Sequence, residues 1–323
     1  MIKKMRKRTL KLVKLEVLSR RLSPNHPNRK HVEADLAMME AGFKGEKALD
    51  YFLELITDKE INVFHDLRLP ITNTKHYFQI DTLIVTPFFL AVVEVKNIRG
   101  NIYFDHLADQ IIRTLKGEQE AFQDPVNQAG RQAAHLEKLL EHKQFRKVPI
   151  KHLACFTNSI SVITFSNKYP EKAKSKVIRP RNLLEKLEHF KSLYPQRILA
   201  KSDLKKISSL LLKNHSDNET DILAQYGILQ HDIVTGVQCQ SCFSFPMQRR
   251  YGGWGCLNCQ GFQNGSHLQA LNDYSFLFKN SISNKEARLF LHLPSALTAM
   301  RVLKSMHLPS EGKGSTYRYI LPS

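Results

Sequence analysis

The sequence predicts an α/β fold, and two patterns carry this prediction. Between residues 33 and 165, short apolar runs typical of β-strands lie between segments with the apolar spacing of amphipathic helices. Farther along, four cysteines in two close pairs precede a basic segment with helical spacing. A chain of 323 residues has room for about two domains. We therefore expect one larger α/β domain followed by smaller modules.

Local patterns place the elements in order along the chain. Apolar residues at positions 49, 52, 53 and 56 share one helical stripe, and Asp124-Pro125 suits the N-cap and first turn of a later helix. We predict helices over residues 33–57, 125–142 and 182–215, and strands over residues 61–67, 78–85, 90–96, 101–104, 153–156 and 161–165. The resulting organisation is a basic leader (1–32), an α/β domain (33–200), a helical linker (201–235), a cysteine module (236–262) and a C-terminal basic module (266–323).

The formal net charge of +18 is concentrated at the two ends of the chain. Residues 1–30 hold 11 basic groups and one acidic group, residues 31–238 hold 28 and 26, and residues 239–323 hold nine and three. Basic ends favour a polyanionic partner, because Lys and Arg release counterions when they bind phosphates. For residues 1–30 the alternative is a solvated, partly disordered arm, which is what most charge runs are.

The sequence offers no segment suited to a membrane or to secretion. Its most apolar stretch, residues 83–95, is too short to span a bilayer and contains Pro87 and Glu94. Residues 10–22 are interrupted by five charged side chains, which argues against a signal peptide. We therefore expect a cytoplasmic protein without a membrane partner.

Two acidic residues are predicted to face each other within the α/β domain. If residues 86–89 form a hairpin loop, strand pairing places Asp81 directly opposite Glu94. Like charges at such positions destabilise a sheet, and apolar surroundings increase the cost through desolvation. A divalent cation would remove the repulsion, and Mg²⁺ or Mn²⁺ prefers such oxygen ligands. The pair therefore indicates a metal site.

Lys96 strengthens this interpretation. It follows Glu94 by two residues, so both side chains project from the same face of the strand. An ammonium group beside a metal-bound carboxylate can orient a water nucleophile or stabilise charge on a phosphoryl group. The alternative is a surface Glu–Lys pair on an edge strand, which contributes little.

These residues resemble the PD-(D/E)xK nuclease pattern, with Ile80 in place of the usual proline. Their surroundings resemble more specifically the NERD (nuclease-related) domain over about residues 42–165. The matching residues are Gly45-Glu46, Gln79-Ile80-Asp81, Glu94-Val95-Lys96-Asn97, Gly100 and Asp124-Pro125 followed by Gln128. The resemblance implies a restriction-endonuclease-like core, which is a mixed sheet flanked by helices, and Mg²⁺-dependent cleavage of nucleic-acid phosphodiesters.

The resemblance also implies roles for the strand residues. Asp81 and Glu94 would bind the metal, with the Val95 carbonyl as a third ligand, and Lys96 would be the catalytic lysine. The same resemblance gives roles to two helix residues.

Glu46 matches a helix glutamate that lies beside the metal in this superfamily. The alternative is a first-turn glutamate favoured by the helix dipole. Gln128 matches a polar residue of the following helix, and Gln132, one turn later, is its rival. The alternative for both is a pair of solvated glutamines.

The cysteines form two Cys-x-x-Cys pairs, Cys239/Cys242 and Cys256/Cys259, separated by 13 residues. Each pair can hold one metal from a tight turn, and together they complete a tetrahedral thiolate site for Zn²⁺ in a structural zinc ribbon. A redox dithiol would need only one pair, whereas an iron–sulfur cluster also fits the spacing. Cys155 lies in an apolar run, where we expect it in the core.

The C-terminal segment resembles a winged helix-turn-helix. Residues 283–286 form a capping box ahead of one helix, residues 294–306 suit a second helix, and residues 315–321 suit a strand. Thr298, Arg301 and Lys304 would then face nucleic acid. Apolar residues 297, 300 and 303, together with residue 307, are expected on one side of the second helix. The alternative is a helical module that docks on a protein.

These inferences combine into one expected function. We expect a deoxyribonuclease that hydrolyses DNA phosphodiesters in DNA processing or repair, with Mg²⁺ (or Mn²⁺) at the catalytic site and structural zinc. One alternative is a catalytically inactive nucleic-acid-binding protein that uses the nuclease fold as a platform. RNA processing is the other, because neither motif reads the sugar. Only the active enzyme requires Asp81, Glu94 and Lys96 together.

Overall fold

The computed structural model describes residues 1–322, which form two compact units. Unit 1 comprises Met1–Arg8 and Met38–Asn218, and unit 2 comprises Thr9–Ala37 together with the chain from Glu219 onward. Within the described residues, none of the helices is both long enough and apolar enough to cross a bilayer.

In chain order, the helices are α1 (Leu10–Arg21), α2 (Arg29–Glu54), α3 (Pro125–His142), α4 (Glu171–Lys174), α5 (Leu183–Leu193), α6 (Lys201–Asn214), α7 (Ile222–Gln225), α8 (Ser266–Leu277), α9 (Asn284–Phe290) and α10 (Ala296–Ser305). The strands are β1 (Ile2–Lys4), β2 (Asn62–Pro70), β3 (Tyr77–Val85), β4 (Leu90–Lys96), β5 (Asn101–Asp105), β6 (Gln110–Leu115), β7 (Glu118–Gln123), β8 (Ile150–Phe156), β9 (Val162–Phe165), β10 (Val177–Ile178), β11 (Gln248–Arg250), β12 (Gly253–Gly255), β13 (Phe262–Gln263), β14 (Ser281–Ile282), β15 (Ser310–Glu311) and β16 (Arg318–Ile320). Short 3₁₀ turns lie at Pro180–Asn182, Gln230–Asp232 and Gly314–Thr316.

Unit 1 is built on a six-stranded mixed sheet in the order β1-β2-β3-β4-β8-β10. Strands β2, β3 and β4 are antiparallel, whereas β1 and β8 pair in parallel with their neighbours. The apolar side chains of α3 and α6 pack on one face, and those of α2 and α5 pack on the other. The predicted mixed sheet flanked by helices is therefore confirmed.

A second, four-stranded sheet in the order β7-β6-β5-β9 extends unit 1. The sequence interpretation missed its β6–β7 hairpin, because these strands are largely polar and carry little apolar alternation. The hairpin turns at Lys116 and Gly117, which both have positive φ (53° and 88°). Such a two-residue turn matches the twist of paired strands.

The predicted helix over residues 182–215 is two helices. The first, α5, ends at Leu193 and α6 begins at Lys201. Pro195 follows directly after the C-cap residue Tyr194 and cannot continue a helix, because it lacks the N–H and its ring clashes with the preceding turn.

Unit 2 contains a three-stranded sheet β11-β12-β13, followed by α8 and a second small sheet in the order β14-β16-β15. Helices α9 and α10 lie between β14 and β15 in the chain. In chain order, this part of unit 2 consists of α8, β14, α9, α10 and the β15–β16 hairpin, and β14 pairs with β16. This is the topology expected for a winged-helix-like module. The predicted apolar side of α10 is wrong in part: Leu297 and His307 are exposed, and the buried residues are Ala299, Val302 and Leu303.

Residues 1–30 are not a disordered arm. Strand β1 is the edge strand of the six-stranded sheet and pairs with β2, and α1 packs against α7 and α8 with buried leucines at positions 12, 15 and 18. The predicted boundary of the leader at residue 32 lies inside the continuous helix α2. The basic residues of this segment include Arg6 and Arg21, which are buried and paired with acidic groups.

Candidate active site and metal centre

The hairpin formed by β3 and β4 has the predicted register. Val85 pairs with Leu90, and the ladder continues to the pair Thr82–Val93. Thr86 fixes the loop, because its hydroxyl accepts hydrogen bonds from the backbone N–H groups of residues 88 and 89 at 3.1 and 2.9 Å. The loop therefore sets which residues of the two strands meet.

The ladder stops where Asp81 and Glu94 would be the next pair. There, Oδ2 of Asp81 accepts a hydrogen bond from the backbone N–H of Val95 at 2.8 Å. A side chain thus replaces a backbone carbonyl as the acceptor, and the two strands part at the two acidic residues.

The neighbouring strand β2 is distorted at the same level. Asp66 has a φ of 50°, and it is the residue left out of the regular pairing between β2 and β3. Lys4 supports this irregular backbone, since its Nζ donates to the carbonyl oxygens of His65 and Asp66 at 2.9 and 2.8 Å. The β-strand geometry is therefore interrupted across adjacent strands beside Asp81.

Glu94 is 2% exposed and has both carboxylate oxygens occupied. Lys96 Nζ donates to Oε1 at 2.8 Å, and Gln132 Nε2 donates to Oε2 at 2.8 Å. Lys96 Nζ also donates to Oε1 of Gln128 at 3.1 Å. Helix α3 thus brings both rival glutamines to the strand residues, Gln128 to the lysine and Gln132 to the glutamate.

Gly45 lets α2 approach the end of β4 closely. A Cβ atom at this position would lie 2.3 Å from Cβ of Asn97 and 2.9 Å from Oγ1 of Thr157, so any side chain would push the helix away. The close approach brings the next residue, Glu46, near enough for its charge to raise the pKa of Asp81.

Arg6 reaches this cluster from the segment that follows β1, and no sequence motif indicates it. Its side chain is 3% exposed, contacts the carboxylate of Glu46, and donates to Oδ1 of Asp50 at 3.1 Å. Its Nη2 lies 2.8 Å from Nδ1 of His65 and donates to Oγ1 of Thr82 at 3.0 Å. In the sequence, Arg6 is one of 11 basic residues among residues 1–30, and nothing in the pattern distinguishes it from the others.

Burial changes the ionisation of three side chains in this cluster. Desolvation raises the pKa of Asp81 well above its usual range, and the charges of Glu94 and Glu46 raise it further. Desolvation also raises the pKa of Glu46 to about 7, outweighing the opposite effect of the Arg6 charge. The pKa of His65 is lowered to about 3, by desolvation first and then by Arg6, so its ring is neutral at pH 7.

The donor chemistry of the cluster fits a hard divalent cation. One oxygen of Asp81 makes no hydrogen bond within residues 1–322, and Oε1 of Gln132 is buried there without a partner. Mg²⁺ or Mn²⁺ would bind these free oxygen atoms and would neutralise the repulsion between the carboxylates. If such an ion binds, Asp81 and Glu94 are the residues that would hold it.

The part of the chain that contains these carboxylates matches one family model. Residues 41–157 match the model of the nuclease-related domain, NERD. The match includes Asp81, Glu94 and Lys96 but neither Arg6 nor the cysteine pairs. Comparison with curated proteins and with solved structures found none similar to the chain. The nuclease-related domain implies a nuclease-related role and interaction with nucleic acid.

The raised pKa of Glu46 predicts a pH-dependent stability of the nuclease-related domain. Because the folded state holds this proton more tightly than the unfolded chain, the contribution is complete below the ordinary pKa of 4.5 and is lost as the pH rises through about 7. Without divalent metal, we expect the melting temperature to fall between pH 5 and pH 8, and Glu46→Gln to flatten this fall. An unchanged slope in the variant, measured by circular dichroism, would contradict the assignment.

The second cluster of potential ligands is the predicted tetrad of cysteines. The Sγ atoms of Cys239, Cys242, Cys256 and Cys259 all lie within 4.8 Å of one another. Across the two pairs, Cys239 Sγ lies 3.6 Å from Cys259 Sγ, and Cys242 Sγ lies 3.5 Å from Cys256 Sγ. Among residues 1–322, this is the one group of three or more His, Cys, Asp or Glu so closely placed. The four thiols are positioned to bind a metal, consistent with structural zinc.

Replacing Cys256 with serine should release this metal and unfold the segment around residues 239–259. The segment is small, so metal-binding free energy supplies much of its folding free energy. We expect elemental analysis to give one zinc per wild-type chain and less than one in Cys256→Ser, while the nuclease-related domain keeps its own melting transition. Cys155→Ser is the matched control, because Cys155 is a buried core residue outside the tetrad. Iron, or no metal, in the wild-type protein would contradict a zinc centre.

The predicted nucleic-acid-binding residues lie on α10. Arg301 and Lys304 are exposed, whereas Thr298 is partly buried at the start of the helix. The backbone N–H of Thr298 donates to the N-cap hydroxyl of Ser295 at 3.1 Å, and the two side-chain oxygens lie 3.0 Å apart. Thr298 thus takes part in capping, while the two basic side chains remain open to a partner.

Proposed function

We propose that unit 1 is a Mg²⁺-dependent (or Mn²⁺-dependent) deoxyribonuclease. The observation that carries the proposal is the meeting of Asp81, Glu94 and Lys96 where strands β3 and β4 part. Like-charged carboxylates are costly in a buried sheet, so their presence is explained best by a site that binds a cation. The nuclease-related domain, of which all three residues are part, supports phosphodiester cleavage as the reaction.

The residues of the site would have different roles in the proposed reaction. A bound divalent ion would polarise the phosphodiester and lower the pKa of a coordinated water. Lys96, held by Glu94 and Gln128, would place its ammonium near the scissile phosphate and stabilise negative charge there. Gln132 would keep the carboxylate of Glu94 oriented. Glu46, with its pKa near 7, would be able to accept a proton at neutral pH.

Cleavage assays with and without Mg²⁺ test the proposal. Purified protein would be incubated with labelled single-stranded, duplex and branched DNA, and with RNA of the same sequence. We expect cleavage of DNA only when Mg²⁺ or Mn²⁺ is present, and loss of cleavage in Lys96→Met but not in Lys172→Met, where the lysine is exposed on α4. DNA binding without cleavage under all metal conditions would refute the proposed nuclease activity. Cleavage restricted to RNA would refute DNA as the substrate.

We further propose that α10 contributes phosphate contacts to DNA. Arg301 and Lys304 are exposed basic residues one turn apart on a helix of the winged-helix-like module. The double variant Arg301→Ala/Lys304→Ala should weaken duplex binding and reduce the slope of log affinity against log salt by about 0.9 for each lost phosphate contact. Cleavage at saturating DNA should remain, because the catalytic residues lie in unit 1.

A titration of fluorescent duplex DNA at several salt concentrations measures this effect. The single replacement Lys172→Ala in unit 1 is the control for a general loss of positive charge. An unchanged salt slope in the double variant would mean that α10 contacts something other than DNA phosphates.

A further inference from the structure

We propose that one face of the small β11–β12–β13 sheet binds unpaired DNA bases by stacking. This face, which we name the hairpin face, consists of Arg250, Tyr251 and Phe262 above a floor formed by Gly253 and Gly255. The inference deepens the proposed function, since it rests on DNA as the ligand and adds single-stranded segments as the part recognised.

The strand register places these side chains together. Arg250 pairs with Gly253, and Phe262 pairs with Gly255, so both project on the same side of the central strand β12. Tyr251 begins the two-residue turn that joins β11 to β12, and Gly252 completes this turn with a φ of 74°. The side chains of Arg250 and Phe262 therefore both lie over β12, and Tyr251 lies in the adjoining turn.

The two glycines leave space for these side chains over β12. A Cβ atom at Gly255 would be 2.7 Å from Nε of Arg250, and one at Gly253 would be 2.6 Å from Cζ of Phe262. The guanidinium and the ring thus cover the backbone of β12, and side chains at 253 and 255 would lift them away. The result is a surface that contains one ring and one planar cation.

The hairpin face is open to solvent and has few partners of its own. Tyr251 is fully exposed, Phe262 is 54% exposed, and Arg250 is exposed. Within residues 1–322, Arg250 and Tyr251 make no side-chain hydrogen bond, ion pair or ring contact. Aromatic side chains that are exposed close to an unpaired guanidinium in one short hairpin mark a candidate ligand-binding surface.

The opposite face of the sheet anchors it. Trp254 is completely buried there, donates from Nε1 to Nδ1 of His267 at 3.2 Å, and lies beneath the guanidinium of Arg249 at 5.5 Å. Cys256 of the metal centre follows β12 directly. The sheet is therefore held on its inner side, and the hairpin face is supported from below.

The chemistry of this platform selects unpaired nucleic-acid bases. Aromatic rings and guanidinium planes stack on base faces, which are accessible in a single strand but covered by neighbouring bases in a duplex. The surrounding segment favours a polyanion, because residues 239–323 contain nine basic and three acidic groups. A planar ring and a planar cation match the flat faces of successive bases.

Binding of oligothymidylate to the full chain tests the proposal. The measurements would use the Asp81→Asn background, so that the strand is not cut, and compare oligothymidylate with an abasic strand of equal length. We expect Tyr251→Ala and Phe262→Ala each to weaken binding of oligothymidylate by about 5- to 100-fold, as expected for one lost stacking contact. Tyr251→Phe and Phe262→Tyr should bind almost as the parent does. On the abasic strand, the alanine variants should not differ from the parent.

Two controls separate this result from misfolding and from the nuclease proposal. Each variant should retain its full metal content, and Leu289→Ala, which removes another exposed apolar side chain of unit 2, should bind normally. No loss in the alanine variants, or an equal loss on the abasic strand, would overturn stacking. If the wild-type protein fails to cleave DNA but the base-dependent losses are found, the nuclease proposal fails and the hairpin-face proposal stands.

Discussion

Asp81→Asn should abolish DNA cleavage and leave the fold intact. The amide oxygen of asparagine can still accept the hydrogen bond from Val95, so the parting of β3 and β4 is preserved. The variant removes the negative charge that a metal would need and relieves its repulsion with Glu94 and Glu46. In the absence of metal we therefore expect the melting temperature at pH 7 to rise, because the ionised form of a desolvated carboxylate destabilises the folded state.

The prediction for Asp81→Asn requires both a loss of cleavage and a retained thermal transition. Asp217→Asn, which alters an aspartate with a side chain 69% exposed, is the control and should cleave normally. Wild-type cleavage by Asp81→Asn would remove Asp81 from the site, and a collapse of its thermal transition would show that the carboxylate has a structural role instead.

Asp273→Ala should destabilise unit 2 by about 3–5 kcal/mol, the usual cost of breaking a buried ion pair. Asp273 is 1% exposed, and its Oδ2 accepts a hydrogen bond from Nε of the fully buried Arg21 at 2.6 Å. The guanidinium carbon of Arg21 also lies 5.1 and 4.9 Å from the ring centres of Phe245 and Phe290. Without Asp273, its cation would remain buried with only backbone carbonyls as acceptors.

Arg20→Ala provides the matched control for this prediction. Arg20 donates to the other oxygen of Asp273 at 2.5 Å, but its side chain is 27% exposed. Its removal leaves the buried Arg21–Asp273 pair in place, so we expect a smaller loss than in Asp273→Ala. Equal losses in Asp273→Ala and Arg20→Ala, measured by urea unfolding, would show that the Arg21–Asp273 pair contributes nothing beyond the contact with the partly exposed Arg20.

The elements predicted correctly are those whose ends are set by residues close to them in the sequence. Strand β4 and helix α3 have the predicted bounds, because the loop at Thr86 and the cap at Asp124 are encoded within a few residues of each element. The same holds for the cysteine tetrad, where the spacing of each pair already fixes two ligands. The register that brings Asp81 level with Glu94 follows from the length of one loop.

What the sequence could not indicate depends on contacts between distant residues. Arg6 meets Asp50 and His65 only because β1 adds to the edge of β2, and no periodicity links residue 6 to residue 50. For the same reason, the charge density of residues 1–30 is as typical of a solvated arm as of an ordered segment. The apolar side of α10 was misplaced because Leu297 in its first turn is 50% exposed, whereas Val302, which the predicted stripe omits, is buried.

The two-part composition of unit 2 has a consequence for synthesis of the chain. Helix α1 is synthesised before most of unit 1, yet the residues that cover it, including Asp273 more than 250 positions later, are synthesised after unit 1. Its buried leucines and Arg21 must remain without their partners while all of unit 1 is translated and folds. Slowing translation after residue 218 should therefore lengthen the time for which α1 is open to chaperones and to aggregation, and should lower the yield of intact protein.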